Sequence, residues 1–239
     1  MTTPTREPKT DGLYATSDEQ HRLRKMIKGS TGTTDQDAVD EERDNAIGEG
    51  ANNINLEFEK NKLKLIFNDG TPMTKVDRRR YLTLDSRSKP FMEKVAPKKR
   101  KGMHGIGAAL SRGRLAGQGT QTTTTKTENG ICHQVVIDLN GLTKDTYDHP
   151  QCWTSDKNAT GKENTLRPMW KEIDDKTITN NYKVGVTKEY SGDSLKQNFE
   201  LSDEIFHIAD KYERNINLNL KFNIKWDGKN YVVPQIYND

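Results

Sequence analysis

The chain has 239 residues, of which 31% are hydrophobic and 31% charged, and 38 Lys and Arg against 35 Asp and Glu give a net charge of +3. This balance of charges argues against a protein that coats nucleic acid. A membrane-spanning helix needs about 18 consecutive apolar residues, and the sequence contains no such run. The N-terminal residues lack the apolar block of a secretion signal. Two cysteines, Cys132 and Cys152, are too few for a disulfide framework or a zinc site. We therefore expect a soluble intracellular protein without a membrane partner.

Residues 1–17 are polar, with almost nothing to bury, and are predicted to form a disordered leader. Residues 18–239 are predicted to form a single domain, which begins with a short surface helix at residues 18–28. Residues 35–50 predict a longer helix, since Thr34 or Asp35 can cap its start and glycines can end it. Its expected buried side consists of Ala38, Val39, Ala46 and Ile47, and its expected solvated charges are Glu42, Asp44 and Glu49.

The elements after this helix alternate between strands and helices. Two strands with alternating apolar residues, 54–59 and 63–67, are expected to form a hairpin. A short basic helix at 75–82 then leads into a long polar stretch ending at residue 104, whose length is typical of a functional lid. The later predicted elements are a helix at 105–115, strands at 131–139 and 182–190, a helix at 199–212 with Ile205, Phe206, Ile208 and Ala209 inward, and strands at 216–226 and 231–233 around an Asp227–Gly228 turn.

Residues 140–180 are expected to be loop with weak structure. The element order predicts an α/β protein, namely a two-layer sandwich in which a mixed, mostly antiparallel sheet carries helices on one face.

Glu41 and Asn45 form the first motif with chemical potential. A spacing of four residues places both side chains on one face of the predicted helix. The carboxylate can take a proton from water, and the amide oxygen can ligate Mg²⁺ without adding charge. Taken alone, such a pair on a charged helix is more often simply solvated.

Two further motifs follow. Residues 68–73 read Asn-Asp-Gly-Thr-Pro-Met directly after a strand, where Asn68 or Asp69 can accept a hydrogen bond and Gly70 lets the backbone approach a flat ring, although an ordinary turn explains the same residues. Residues 101–108, Lys-Gly-Met-His-Gly-Ile-Gly-Ala, open a helix. The free N–H groups at a helix start favour an anion such as phosphate, but the Lys-Ser/Thr ending of a P-loop is absent.

Together, these three motifs in this order resemble the GHKL ATPase superfamily, which includes gyrase B subunits, MutL, ninety-kilodalton heat-shock chaperones and sensor histidine kinases. The resemblance is greatest to the type II topoisomerase branch, where the phosphate loop reads like Gly-Leu-His-Gly-Val-Gly. It rests on motifs over residues 35–115 and on element order alone over 130–233. It implies a Bergerat-type sandwich with an ATP lid at about residues 74–104.

The resemblance also implies roles for individual residues. Glu41 would activate the attacking water, Asn45 would ligate Mg²⁺ beside the phosphates, and Asn68, or less readily Asp69, would accept the adenine amino group. Lys101 and Lys89 could reach the phosphates from the lid. The residues that the resemblance implies at the ATP site are Asn45, Asn68, Asp69, Gly70, Met73, Lys101, Gly102, His104, Gly105, Ile106, Gly107 and Thr187.

The sequence departs from the family pattern in two respects. The family's Asp-Asn-Gly-x-Gly is replaced by residues 68–72, Asn-Asp-Gly-Thr-Pro, and a neutral acceptor gives a weaker hydrogen bond than an ionised one. Topoisomerase and MutL subunits also carry a further domain with a phosphate-contacting Lys, which is not seen here. We therefore expect slow hydrolysis, with a homodimer mate or a partner subunit supplying such a lysine.

Three hypotheses remain open. The first is a Mg²⁺-dependent ATPase that acts as a nucleotide-driven conformational switch, and Glu41 favours it over a sensor kinase. The second is a degenerate nucleotide-binding or protein-interaction module without turnover. The third is DNA binding without nucleotide through Arg78–Arg80 and Lys98–Lys101. Residues 97–101 also resemble a nuclear-import signal, so the expected location is cytoplasmic, or nuclear if that signal acts.

Overall fold

The computed structural model describes residues 10–14, 33–82, 107–117, 119–139, 169–174, 184–191 and 197–235. The predicted surface helix at 18–28, most of the predicted lid (83–104) and the phosphate motif before Gly107 lie outside these residues. In the described part of the chain the helices are α1 (Asp35–Gly48), α2 (Lys75–Leu82), α3 (Gly107–Ala116), α4 (Leu201–Lys211) and α5 (Glu213–Asn217). The strands are β1 (Thr10–Tyr14), β2 (Asn53–Glu59), β3 (Lys62–Asn68), β4 (Thr120–Lys126), β5 (Cys132–Asp138), β6 (Met169–Ile173), β7 (Gly185–Ser191), β8 (Lys221–Trp226) and β9 (Lys229–Val232).

The strands form one nine-stranded sheet in the order β1-β6-β5-β4-β7-β3-β2-β8-β9. The pairing of β2 with β8 is parallel, and the other neighbouring strands described run antiparallel. The expectation of an α/β protein with a mixed, mostly antiparallel sheet is confirmed.

The apolar core lies between the helices and one face of the sheet, because side chains alternate between the two faces of a strand. On β2 and β8, the paired residues Ile54 and Phe222 are buried and belong to the core. Helix α1 contributes Val39 to the same cluster, and α4 contributes Ile208. On the opposite face of the same two strands, Asn223 donates a hydrogen bond to Asn55 at 3.0 Å. The described elements are therefore compatible with a two-layer arrangement.

Helix α1 begins as the sequence predicts. The Thr34 hydroxyl accepts from the Asp37 backbone N–H at 3.0 Å, and the Asp37 carboxylate accepts from the Thr34 backbone N–H at 3.1 Å. This reciprocal capping box satisfies backbone donors that have no partner within the helix. The helix ends at Gly48, two residues before its predicted end. The cap fixes the helix that carries Glu41 and Asn45.

Two neighbouring strands at one end of the sheet were missed by the sequence analysis. The prediction of a disordered leader is wrong for residues 10–14, which form β1 and pair with β6. The prediction of a loop over 140–180 is wrong for residues 169–173, which form β6; there Trp170 is buried and donates its ring N–H to the Arg78 carbonyl at 2.8 Å. Both strands are stabilised by neighbours distant along the chain, which local composition cannot reveal.

The Thr-rich run at 120–126 is a strand, β4, to which the sequence analysis assigned no structure. Thr123 and Thr125 are fully buried on it. β-branched threonine suits a pleated surface, but a run without apolar residues does not show the alternation that identifies a half-buried strand. The predicted strand at 216–226 is correct only from residue 221, because Ile216 lies in α5.

The buried face of helix α4 differs in part from the predicted one. The prediction that Phe206 faces inward is wrong, because its side chain is 70% exposed, whereas Ile208 is fully buried as predicted. Ile208→Ala should therefore lower the free energy of unfolding by about 2–5 kcal/mol, whereas Phe206→Ala should change it by less than about 0.5 kcal/mol. Urea unfolding followed by circular dichroism measures both. Equal losses in the two variants would contradict the observed orientation of the helix.

Candidate functional site

The structure places Gly107, which belongs to the third sequence motif, beside the first motif. Glu41 and Asn45 are both partly buried on α1, and the Asn45 amide donates to Glu41 Oε1 at 3.3 Å. Gly107, the first residue of α3, lies directly against the Glu41 carboxylate, so that a Cβ atom at residue 107 would overlap it. The carboxylate, the amide and the helix start thus share one place, although 66 residues separate Glu41 from Gly107 in the sequence.

The surroundings of Glu41 raise the pKa of its carboxyl above the ordinary value. Burial is the largest cause, and the adjacent Glu42 carboxylate adds to it, whereas the Asn45 hydrogen bond and the Lys188 ammonium act in the opposite direction. A carboxylate with a raised pKa accepts a proton more readily near neutral pH. The position is therefore suited to a general base.

The position of Glu41 depends on its neighbour Glu42, which is only 3% exposed. One Glu42 oxygen pairs with the Lys188 ammonium of β7, and the other accepts from the Ser111 hydroxyl of α3 at 2.8 Å. Ser111 lies one helical turn beyond Gly107, so this bond holds the start of α3 beside α1. The interpretation of Glu42 as a solvated helix charge is wrong, because its partners come from remote parts of the chain.

A second polar cluster lies next to this ion pair. The Tyr81 hydroxyl of α2 donates to Gln121 Oε1 at 2.8 Å, and the Arg112 side chain of α3 donates to the same oxygen at 2.6 Å. The Arg112 guanidinium also lies 4.5 Å from the centre of the Tyr81 ring, and the Lys188 ammonium lies 5.7 Å from it. Helix α2, which opens the predicted lid, is therefore joined to the helix that follows it.

The second motif forms the turn after β3, and its two polar side chains have different environments. Asp69 Oδ1 accepts from the backbone N–H groups of Asn52 and Asn53, both at 2.8 Å, and Asp69 Oδ2 accepts from the Asn53 amide at 2.5 Å. Burial opposes ionisation of Asp69, but these hydrogen bonds hold the pKa of its carboxyl below the ordinary value. Asp69 is committed to the turn, which leaves Asn68 as the side chain available to a ligand.

The turn is fixed to α1 and to β7. The Thr71 backbone N–H donates to the Glu49 carbonyl at 2.9 Å, one turn after Asn45. Gly70 is tightly enclosed, since a Cβ there would lie 3.0 Å from Asn68 Oδ1 and 3.2 Å from the Glu49 carbonyl oxygen. Gly185, at φ +132°, packs so closely on the Asn68 carbonyl that no side chain fits. The Asn68 backbone therefore has a fixed position close to the end of α1.

Two other residues from the sequence analysis lie elsewhere. Met73 packs against the core, and its backbone N–H donates to the Thr125 hydroxyl at 2.8 Å. Thr187 pairs with Phe67 across the sheet, one position out of phase with Asn68 and Val186. Alternation therefore places Thr187 on the face opposite Asn68. Lys89, Lys101, Gly102, His104, Gly105 and Ile106 lie outside the described residues.

A third charged cluster, centred on Asp40, lies on the other side of α1. The His207 ring, the Lys211 ammonium and the Arg43 guanidinium all contact its carboxylate, at 2.9, 2.5 and 2.9 Å. The sequence analysis assigned no partners to His207, because α4 follows α1 by more than 150 residues. The cluster joins α1 to α4 and is structural.

The described residues also provide evidence on DNA binding, membrane insertion and metal binding. Arg78, part of the basic run considered for DNA binding, is buried, and its side chain donates to the Met73 carbonyl at 3.3 Å. Among the helices described, none is long and apolar enough to cross a membrane. Within the same stretches, no three His, Cys, Asp or Glu side chains are grouped so that they alone could hold a metal ion.

The chain matches no protein-family model and no curated protein. The geometry of the site is thus the basis for its functional interpretation.

Lys188 provides a test of the buried ion pair. Lys188→Met leaves the Glu42 carboxylate buried without its counter-ion, and should lower the free energy of unfolding by about 3–5 kcal/mol. Replacing both residues, with Glu42→Gln added, should recover much of this loss. The matched control is Lys225→Met, which removes a surface ion pair with Glu57 (2.8 Å) and should cost less than about 1 kcal/mol. Denaturant unfolding of the four proteins measures these differences, and a double variant no more stable than Lys188→Met would contradict the pairing.

The hydrogen bonds to Asp69 predict acid sensitivity. Its folded-state pKa lies below the ordinary value, so its contribution to stability is complete above about pH 4 and is lost as the pH falls through the folded-state pKa. Asp69→Asn should lower the melting temperature at neutral pH, because its amide opposes that of Asn53, and should reduce the further fall between about pH 5 and pH 2. Exposed Asp210→Asn is the control. Thermal melts at successive pH values measure both, and parallel pH profiles for wild type and Asp69→Asn would exclude this role.

Proposed function

We propose that the protein is a Mg²⁺-dependent, ATP-binding GHKL-type domain with slow ATPase activity, used as a nucleotide-driven conformational switch. The observation that carries the proposal is the contact between Glu41 and Gly107. Glu41 and Gly107 belong to motifs that are far apart along the chain, and an ATP site of this type would require these two residues to lie side by side.

Each of the three motifs would have its own part in the chemistry. Glu41, with its raised pKa, would take the proton of the attacking water. Residues 101–107 would present backbone N–H groups to the phosphates, and Gly107 is the first residue of α3. Asn68, at the end of β3, would contact the base.

The donor set fits a magnesium ion held jointly by the protein and the nucleotide. Asn45 donates through its amide nitrogen to Glu41, and its oxygen, which has no hydrogen-bond partner among the described residues, would serve as a ligand atom. Mg²⁺ is commonly bound by one or two protein oxygens together with phosphate oxygens and water, so a cluster of carboxylates is not required. When bound, the ion neutralises charge on the phosphates.

Slow turnover is part of the proposal. Phosphoryl transfer depends on positioning and on stabilising charge at the terminal phosphate, and a lysine from a second copy or a partner subunit would supply the cation that faces this group. The alternative is a module that binds nucleotide without turnover; it is favoured by the neutral Asn68 at a position where the family has a carboxylate.

The experiment separates binding from turnover. Glu41→Ala should retain binding of Mg²⁺–ATP and lower phosphate release by at least about 100-fold, because it removes the base but not the phosphate contacts. Asn45→Ala should abolish both. The control is Glu49→Ala, at the exposed end of the same helix. Binding is measured by thermal shift, where ligand at 100 times Kd adds about 2.7 kcal/mol, and turnover by phosphate release.

Three results are decisive. Wild-type protein that binds Mg²⁺–ATP and releases no phosphate supports the module without turnover. Wild-type protein that does not bind it contradicts both nucleotide proposals. Release that is unchanged in Glu41→Ala contradicts the assignment of the base.

A further inference from the structure

The orientation of the Asn68 side chain bears on which nucleotide base the proposed site selects. Asn68 is the last residue of β3 and lies opposite Val186 of β7 and Ile54 of β2. Val186 is two residues before Lys188, whose ammonium pairs with Glu42 of α1. Alternation along β7 therefore places Asn68 on the face of the sheet that carries the helices, the same face as Glu41 and Asn45.

The oxygen of the Asn68 amide already has a donor within the turn. The Gly70 backbone N–H donates to Asn68 Oδ1 at 3.1 Å. A backbone N–H requires an oxygen as its acceptor, so this bond fixes which end of the amide is which. The amide nitrogen makes no hydrogen bond to any residue in the described part of the chain. The part of the amide without a partner there is thus an N–H donor, whereas the oxygen already accepts one hydrogen bond and keeps only its second lone pair.

The neighbouring Asp69 carboxylate cannot serve as a hydrogen-bond acceptor for the base in place of Asn68. Three donors from Asn52 and Asn53 occupy the two oxygens of Asp69. These bonds hold the turn, so Asp69 cannot turn towards a base without leaving backbone N–H groups unsatisfied. Asn68 alone therefore decides whether this strand end offers a donor or an acceptor.

Purine bases differ at carbon 6 in the property that Asn68 can read. Adenine carries an amino donor there, whereas guanine and hypoxanthine carry an oxo acceptor, and all three share the N7 acceptor. A donor facing this edge pairs with the oxo group and opposes the amino group. We infer that the proposed site binds 6-oxopurine nucleoside triphosphates at least as tightly as ATP, with Asn68 as the specificity-determining residue. This inference rests on the proposed function and names its substrate class.

The wild-type protein provides the first test. Dissociation constants are measured by calorimetry with Mg²⁺ for ATP, inosine triphosphate and guanosine triphosphate. Inosine triphosphate replaces the amino group of ATP by an oxo group on the same purine skeleton, and guanosine triphosphate shows whether an added 2-amino group is tolerated. We expect the inosine compound to bind at least as tightly as ATP.

A substitution at residue 68 should reverse the preference. In Asn68→Asp one carboxylate oxygen still accepts from Gly70, and the other presents an acceptor in place of the donor. The ratio of the two dissociation constants should shift towards ATP by about tenfold or more, as expected for one well-placed base contact. The matched control is Asn55→Asp, which makes the same change on the opposite face of the sheet, where its oxygen still accepts from Asn223.

The outcomes separate this inference from the proposed function. Wild-type protein that binds ATP more tightly than inosine triphosphate overturns the inference and leaves the proposed function intact. Protein that binds none of the three overturns both. If Asn68→Asp does not fold in thermal denaturation, the wild-type ratio alone still decides. An equal shift in Asn55→Asp would assign the effect to charge rather than to contact with the base, and would also overturn the inference.

Discussion

The buried Glu42 carboxylate joins the three parts of the structure on which the candidate site depends. It pairs with Lys188 in the sheet and accepts from Ser111 on α3, while its own backbone belongs to α1. A charge so far from solvent is stable only with partners that neutralise it and satisfy its oxygens. The relative position of α1 and α3 is therefore set by a requirement of the interior. The contact between Glu41 and Gly107 follows from it.

The sequence predicts this fold best where the evidence is local. Helix α1 has a capping residue and a helical apolar pattern, and the β2–β3 hairpin has alternating residues on both strands. Prediction fails where stabilisation comes from remote residues. Glu42 is indistinguishable in sequence from a solvated charge, because its partners follow it by 69 and 146 residues. Strand β4 was missed because its buried threonines form hydrogen bonds to residues of other elements, as Thr123 does with Tyr81 and Thr125 with the Met73 backbone N–H.

In the candidate site, too, local features could be predicted from the sequence, whereas features that depend on remote residues could not. The spacing of Glu41 and Asn45 predicts that they share a helix face, and the structure agrees. The sequence left open whether Asn68 or Asp69 faces a ligand, since both are polar and adjacent. That choice depends on Asn52 and Asn53, whose N–H groups engage only Asp69. A polar residue can thus be assigned to a ligand only when it is known which side chains are hydrogen-bonded to the backbone.

The parallel pairing of β2 with β8 has a consequence for biosynthesis. The hydrogen bond between Asn55 and Asn223 spans 168 positions, so β2 acquires its second neighbour only after this long intervening segment has been synthesised. Until then its outer backbone groups form an open edge, which is prone to pair with other chains. Pairings of such long separation are also slow to form. We therefore expect the unpaired edge of β2 to be the part of the nascent sheet that most needs protection from other chains until β8 is synthesised.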